Sequence, residues 1–552
     1  MALDFIPSRR PLELYDVGLD IFNELVWRSF FQDVKEESPG YITCKMHDLM
    51  HDLAQSIMEL ECLSVEPGKE VKVPERICHM SFLSDTSWNE DIRKVQSLRS
   101  CIGAFFRTYH PSHKEHLLFV SKQKSLRVLQ FYYDFHDAHR SLSYLKHLRY
   151  LKLSYSLFSI LSESITCLLN LQTLKLDYCV RLIKLPNGMK HMKKLTYLGL
   201  TNCGRLTCMS EGMEQLTCLQ SLSCFIVGKD DGYQISELKG LNLRGELCIK
   251  DLDNVRNFKE AKNADLIGKQ NLHSLSLVWQ SNNTSHVSEH VEDVLDGLQP
   301  HSNLKVLRIS KYRGSKFSTW IQDLLLQDLV EISLDYCGRC ELLPPLGKLR
   351  FLKVLAITGM GGVKYLGNEF HGDSEISFPL LTTFSLEQMF NLEDWRTVDG
   401  RESYPRLSTL RIFRCPKLVE LPIFPSISSL HIEESNAMLI RSVRDLTSLS
   451  SLVIKGINKL SVLPDGLLQN HKMLKVLHIS RLPKLKELTN QLDNLCALKV
   501  FYLEDCDKLE SLPDGLQNLH SLQELYIESY NNLLSFPMNG LRGLSSILHY
   551  GG

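Results

Sequence analysis

The 552-residue chain carries 63 Lys plus Arg against 64 Asp plus Glu, so its formal charge is −1 and no global excess draws it to nucleic acid or anionic lipid. No apolar run approaches the ~20 residues of a membrane helix, and the start, Met1-Ala2-Leu3-Asp4-Phe5, lacks the basic flank and apolar stretch of a secretory signal. The length exceeds what one compact core supports, which leaves several domains or a chain that grows by stacking.

At the front, Val17 to Ser29 reads as an amphipathic helix with Ile21, Phe22, Leu25 and Val26 on its apolar face. Phe30 and Phe31 follow, then a turn over Lys35–Gly40 and a strand over Tyr41–Lys45. Met46-His47-Asp48 closes that strand and opens a second helix, Leu49 to Glu59, with Asp48 placed as its N-cap. Helix, two strands and helix is the tail of a winged-helix domain. Residues 1–65 are assigned to it, 66–97 to a linker and a first irregular repeat, and 98–552 to a repeat region.

The repeat region declares itself by period. Anchors of the form L-x-x-L-x-L start at 126, 148, 171, 195 and 219, and resume at 272, 304, 329, 352, 381, 407, 427, 449, 474, 498 and 522. Self-similarity at this interval is the signature of a leucine-rich-repeat solenoid, an α/β fold with one short parallel strand per unit. Leucines at offsets 0, 3 and 5 point inward, and returns such as Leu463-Pro464-Asp465-Gly466 and Leu512-Pro513-Asp514-Gly515 favour turns and short helical pieces. The bulkier return predicts a curved parallel sheet, some seventeen strands about 4.8 Å apart giving an inner arc on the order of 80 Å. That is room for a protein partner.

Two stretches break the register: 219 runs through Arg244–Ile249 into an irregular segment to 271, and a second insertion spans about 280 to 303. The latter ends in a helix, Glu289 to Leu298, and Gly359 to Phe378 forms a third long return. Such insertions become loops on one face of a solenoid and often take part in binding.

Two exposed positions carry the candidate recognition residues. The mid-strand position, offset 4, holds Lys152, Lys175, Arg308, Arg411, His431, His478, Tyr502 and Tyr526. The exit position, offset 7, holds Tyr155, Tyr178, Trp279, Tyr336 and Arg414. Aromatics and arginine anchor protein interfaces, although they also cover solvated sheets well. Five of the sixteen cysteines, Cys179, Cys203, Cys337, Cys415 and Cys506, fall one residue after the exit, and read as buried free thiols of a reducing, cytosolic compartment.

Phe22-Asn23-Glu24-Leu25, Arg28-Ser29-Phe30-Phe31 and Cys44-Lys45-Met46-His47-Asp48-Leu49-Met50-His51-Asp52-Leu53-Ala54, with the Cys exits and Leu-Pro returns, resemble the plant intracellular nucleotide-binding leucine-rich-repeat disease-resistance proteins, coiled-coil class. The resemblance implies an innate immune receptor whose repeats recognise a pathogen effector or a guarded host protein. It also implies that His47, supported by Met46 and Asp48, meets the phosphate of bound ADP, while His51 and Asp52 pack. The family's phosphate loop, G-x-x-x-x-G-K-[ST], is not found, so the expectation is an N-terminally truncated chain that binds no cofactor by itself, ADP and ATP belonging to the full-length family.

Other readings fit less of the chain. His47 and His51 have the spacing of a zinc helix, but the neighbouring acid is Asp48 and no third ligand follows, so no metal and no enzymatic site is expected. Cys337-Gly338-Arg339-Cys340 is a lone pair of thiols. An extracellular receptor would show Gly-x-Ile-Pro returns, and a ubiquitin-ligase adaptor, the alternative function, would show an F-box in front. The expected partner is therefore a protein, or the nucleotide-binding module of another chain, met in the cytoplasm or nucleus without nucleic acid or a membrane span.

Overall fold

The computed structural model describes residues 2–3, 5–6, 14–38, 41–58, 61–65, 73, 76–83, 90–104, 119–130, 142–280, 290–397, 401–488, 492, 494–510, 512, 516, 518–528 and 550–551. These fall into two compact units, 1–255 with 263–265, and 256–262 with 266–552. Among the described residues no helix is long and apolar enough to cross a membrane.

The first unit opens with α1 (Leu14–Trp27), then β1 (Phe31–Ser38) antiparallel to β2 (Tyr41–Met46), then α2 (Asp48–Met58). α1 stops where Ser29 turns left-handed at φ 62°, with Phe30 N donating to Leu25 O and Ser29 N to Val26 O at 2.9 and 3.0 Å. That is the paired Schellman closure, which satisfies the last helical carbonyls and sends the chain into β1. Phe22 then stacks on Phe31, ring centroids 5.5 Å apart.

Parallel strands follow at Cys62–Val65, His79–Leu83, Ser100–Ala104, Val128–Gln130, Tyr150–Lys152, Thr173–Lys175, Tyr197–Gly199 and Ser221–Leu222, each paired with its sequence neighbour. This ladder therefore starts at Cys62, within the residues assigned to the winged-helix tail and ahead of both the linker expected over 66–97 and the repeat region expected from 98. Ile77-x-x-Met80-x-Phe82 and Leu98-x-x-Cys101 keep the inward spacing, all five buried, with other apolar residues in place of most leucines.

The segment Arg244–Ile249, expected to run on from the 219 unit ahead of the irregular stretch to 271, holds a strand of its own, Gly245–Lys250, parallel to Cys224–Ile226. Leu247 and Ile249 point into the core at the usual offsets, but Arg244 stands where the anchor leucine belongs. Its guanidinium is mostly covered and Nη1 lies 3.2 Å from Oδ1 of Asp16 on α1. A leucine count passes over this repeat because its anchor is an ion-paired arginine.

In the second unit the strands Leu272–Val278, Val306–Ser310, Glu331–Asp335, Val354–Thr358, Thr383–Glu387, Thr409–Phe413, Ser429–Glu433, Ser451–Lys455, Val476–Ser480, Val500–Glu504 and Glu524–Glu528 form one parallel ladder. Register is strict: Leu307 faces Ile332, Ile332 faces Leu355, and Leu355 faces Phe384. The expected helix before 298 is Val291–Gly297, and Gly297 lies so close to Phe258–Lys262 that a Cβ would come 2.6 Å from the Phe258 carbonyl. Residues 281–289, most of the second insertion, and the return at 513–515 lie outside the described residues.

The long return after Gly359 builds a buried aromatic cluster of Phe370, Phe378, Phe384, Trp395 and Tyr404 around His371. A carbonyl only accepts, so His371 Nδ1 donates to Gly367 O at 2.8 Å. Its Nε2 then accepts from the Tyr404 hydroxyl at 2.9 Å, and that oxygen accepts from Trp395 Nε1 at 3.2 Å. Every polar atom in this relay has a partner and a fixed direction, and burial holds His371 below the ordinary imidazole range.

Candidate protein-binding face

Exit residues of most described repeats adopt the left-handed conformation. Tyr155, Tyr178 and Asn202 in the first unit, and Lys311, Tyr336, Gln388, Arg414, Glu434, Arg481 and Asp505 in the second, have φ between 47° and 65°. Gly359 and Gly456 occupy the same position at 65° and 67°. In an extended strand offsets 3, 5 and 7 would share one face and all point inward. The left-handed turn takes the exit side chain out of that row and presents it to solvent.

Such a turn costs a non-glycine residue about 1–2 kcal/mol. The backbone recovers part of this, because nearly all of these exit N–H groups extend the ladder. Tyr155 N donates to Asp177 O, Tyr178 N to Thr201 O, Tyr336 N to Thr358 O and Arg414 N to Glu433 O, at 2.7 to 3.0 Å. The next residue turns back inward, and where it is cysteine the thiol meets the preceding repeat. Sγ of Cys179, Cys203, Cys337 and Cys415 lies 3.2, 3.1, 3.7 and 3.7 Å from the strand-end carbonyls of Leu153, Leu176, Ile309 and Leu386. Burial pushes Cys179 and Cys415 up to about 12 and Cys203 and Cys506 up to about 11, and raises Cys337 as well. All sixteen cysteines are free thiols.

In the first unit Tyr155 and Tyr178 are 39% and 40% exposed and stack in parallel, centroids 4.7 Å apart. Lys152 and Lys175 face each other on adjacent strands, half-buried, and Lys175 Nζ sits 5.0 Å over the Tyr197 ring. Burial lowers the Lys175 ammonium.

In the second unit Tyr502 and Tyr526 stack at 4.4 Å, with His478 5.2 Å from Tyr502. Arg308 is held at 2.6 Å by Glu331, Arg411 at 3.5 Å by Glu387, and Arg414 at 2.7 Å by Glu434. His431 meets Glu433 at 3.1 Å, and burial lowers its imidazole against that carboxylate. Tyr336, 49% exposed, lies across Gly359.

Trp279 departs from expectation. It is 1% exposed and packs edge-on against Tyr312 at 5.0 Å. The strand stays extended at this exit, so the side chain keeps the inward face of Leu275 and Leu277. Its repeat carries polar Gln280 at the next position, but the repeats of Tyr155 and Glu434 carry Ser156 and Ser435 there and still turn left-handed, so the sequence held no signal that set Trp279 apart. Sequence reasoning also passed over Glu434 and Glu433, which pair with Arg414 and His431, and Lys455 and Arg481, which face those carboxylates.

At the front, α2 begins one residue earlier than expected, so His47 and not Asp48 is its cap. His47 Nδ1 accepts from Leu49 N at 3.3 Å, its carbonyl accepts from Met50 N and His51 N, and its amide donates to Phe30 O. Accepting at Nδ1 places the ring proton on Nε2. Met46 and Asp48 flank it, both exposed, and α2 presents Leu49, Leu53 and Ile57 to solvent as an apolar stripe. Among the described residues no three His, Cys, Asp or Glu side chains converge as a metal site.

Residues 1–54 match the model of the disease resistance protein winged helix domain, and residues 235–360 match that of the R13L1/DRL21 leucine-rich repeats. The chain is 36% identical over 500 residues to putative disease resistance protein RGA1 of Solanum bulbocastanum, covering 89% of this chain and 47% of that protein. It is 35% identical over 501 residues to disease resistance protein RGA2 of the same species, covering 89% and 46%. The chain thus spans about half the length of these relatives. The plant peptide hormone receptor RGFR1, solved in complex with RGF2, aligns at 14% identity and TM-score 0.37 over 92% of this chain and 94% of that one. With a winged-helix end, cysteine-exit repeats and these relatives, the chain belongs to the plant disease-resistance proteins of the leucine-rich-repeat class.

Proposed function

We propose that the chain is the recognition region of an innate immune receptor, whose exposed strand faces bind a pathogen effector or a host protein that an effector alters. One observation carries this reading. Large side chains such as Tyr155, Tyr178 and Tyr336 occupy exit positions where glycine is conformationally less strained, and they face solvent. A rigid stacked pair of rings offers apolar contact area at little entropic cost, which is how interface hot spots are built. The work of such a face is binding, with no bond made or broken.

Nucleotide belongs to the proposal at the winged-helix end. The Nε2–H of His47 is the donor that would reach an ADP phosphate, flanked by Met46 and Asp48, while a nucleotide-binding module covers the stripe of Leu49, Leu53 and Ile57. These residues alone form no phosphate cradle, so the chain by itself is expected to bind no nucleotide tightly. The free thiols support a reducing compartment, the cytoplasm.

A photoreactive residue placed singly at Tyr178, Tyr336, Tyr526 or, on the return side, His191 tests the reading in challenged leaf tissue. Adducts to one protein from strand-face positions, and none from His191, are expected. Equal labelling from both sides removes the strand face as the binding surface.

A further inference from the structure

Beside the left-handed Gly456 the second unit has a polar cleft lined by Pro416, Glu434, Asn436, Gly456, Lys459 and Arg481. Gly456 contributes no side chain, and Arg481 reaches across its repeat toward two carboxylates of the strand beyond. The guanidinium stands 3.8 Å from Glu433 and 3.7 Å from Glu434, neither short enough for an N–H···O hydrogen bond. Glu434 is already held by Arg414 at 2.7 Å, and Glu433 by His431 at 3.1 Å and Lys455 at 3.9 Å. Arg481 is thus drawn into place by charge, and its guanidinium lines the cleft half exposed, with no side-chain hydrogen bond among the described residues to occupy its forked donors.

The balance of charge around the cleft is positive. Arg414, Lys455, Lys459 and Arg481 surround two carboxylates, so the site keeps a cationic excess in a chain that has none overall. Lys459 is exposed at the rim and has no ion pair among the described residues. We propose that this cleft takes a carboxylate side chain from an acidic segment of the protein partner, with Arg481 as the bidentate clamp and Lys459 as the rim charge. An acidic peptide is favoured over nucleic acid because Glu433 and Glu434 would repel a continuous run of phosphates, whereas one or two spaced carboxylates meet only the cations.

The proposal rests on the strand face binding protein, and the test separates the two. A fluorescein-labelled peptide of alternating glutamate and glycine is titrated with the full chain and followed by anisotropy. Saturable binding is expected, weakened roughly tenfold or more by the pair Arg481→Glu and Lys459→Glu and by raised salt. Lys472→Glu, exposed on the return side, is expected to leave it unchanged. If the reversed charges disturb folding, seen as a lost thermal transition, the neutral pair Arg481→Gln and Lys459→Gln should still weaken the peptide. No saturable binding, an equal loss with Lys472→Glu, or tighter binding of an oligothymidylate would overturn the cleft. Strand-face crosslinks that persist in that case leave the protein-binding reading standing.

Discussion

The Tyr336 hydroxyl donates to Oε1 of Gln388 at 3.3 Å, two repeats away, over the bare backbone of Gly359. All three are exit residues in the left-handed region, and a Cβ on Gly359 would come 2.5 Å from the tyrosine ring. Arg481 crosses Gly456 in the same manner from the opposite direction. The two glycines are gaps in the exit row that let a neighbour's side chain lie flat.

Gly359→Ala is therefore expected to cost about 1–2 kcal/mol from backbone strain and to displace Tyr336 from Gln388. Gly456→Ala carries the same backbone cost but meets the flexible Cγ of Glu434 at 2.9 Å. Urea midpoints should place Gly359→Ala below Gly456→Ala, with both below the parent; the reverse order contradicts the bridging role of Tyr336.

Lys311 isolates the backbone term, because its exit turn at φ 61° is the ordinary one. Lys311→Gly is expected to be neutral or up to about 1 kcal/mol more stable, and Lys311→Val about 1–2 kcal/mol less stable. Equal stability of the glycine and valine variants would show that the exit is not strained.

The aromatic cluster predicts both a mutational and a pH effect. Tyr404→Phe leaves His371 Nε2 and Trp395 Nε1 buried without partners and should cost about 1–3 kcal/mol per orphaned group. Because burial lowers His371 below 6.5, its contribution is complete above that pH and is lost as the pH falls through the folded value. Thermal melts between pH 7 and 5 should show this loss in the parent and a smaller one in His371→Gln.

Thiol labelling checks the exits. Cys44, Cys167, Cys218 and Cys496 are exposed and should react with iodoacetamide at pH 8 within minutes. Cys203 and Cys506, raised to about 11, and Cys179 and Cys415, raised to about 12, should be spared until denaturant is added. Their thiolate fraction at that pH is on the order of one in a thousand or less. Their raised values stabilise the fold fully below pH 9.0, and that stability is lost as the pH climbs toward 11 and 12. Rapid labelling of Cys415 in the native chain would contradict its buried, carbonyl-bound placement.

Period and polarity made most of this architecture readable in advance, because a repeat restates its inward row every two dozen residues. What stayed hidden was wherever a residue did an anchor's work without an anchor's chemistry. Arg244 fills a leucine position by pairing with Asp16, a contact 228 residues apart in sequence that no local pattern encodes. Trp279 was misplaced because exposure at the exit depends on one torsion angle. The network of Glu433, Glu434 and Arg481 was missed for a related reason: its members come from exit and strand-end positions of two repeats separated by a third, and only stacking brings them together.

The left-handed exit also sets the terms on which such a surface can change. In most described repeats one side chain is lifted clear of the core while its backbone stays bonded to the neighbouring repeat, so replacing it alters chiefly the outward mosaic. Each non-glycine tile carries a small backbone penalty of similar size, to which a neighbour lying across the position, as Tyr336 lies across Gly359, adds its own. New specificities can therefore accumulate one tile at a time, with the reserve of the buried leucine rows deciding how many non-glycine tiles the stack tolerates.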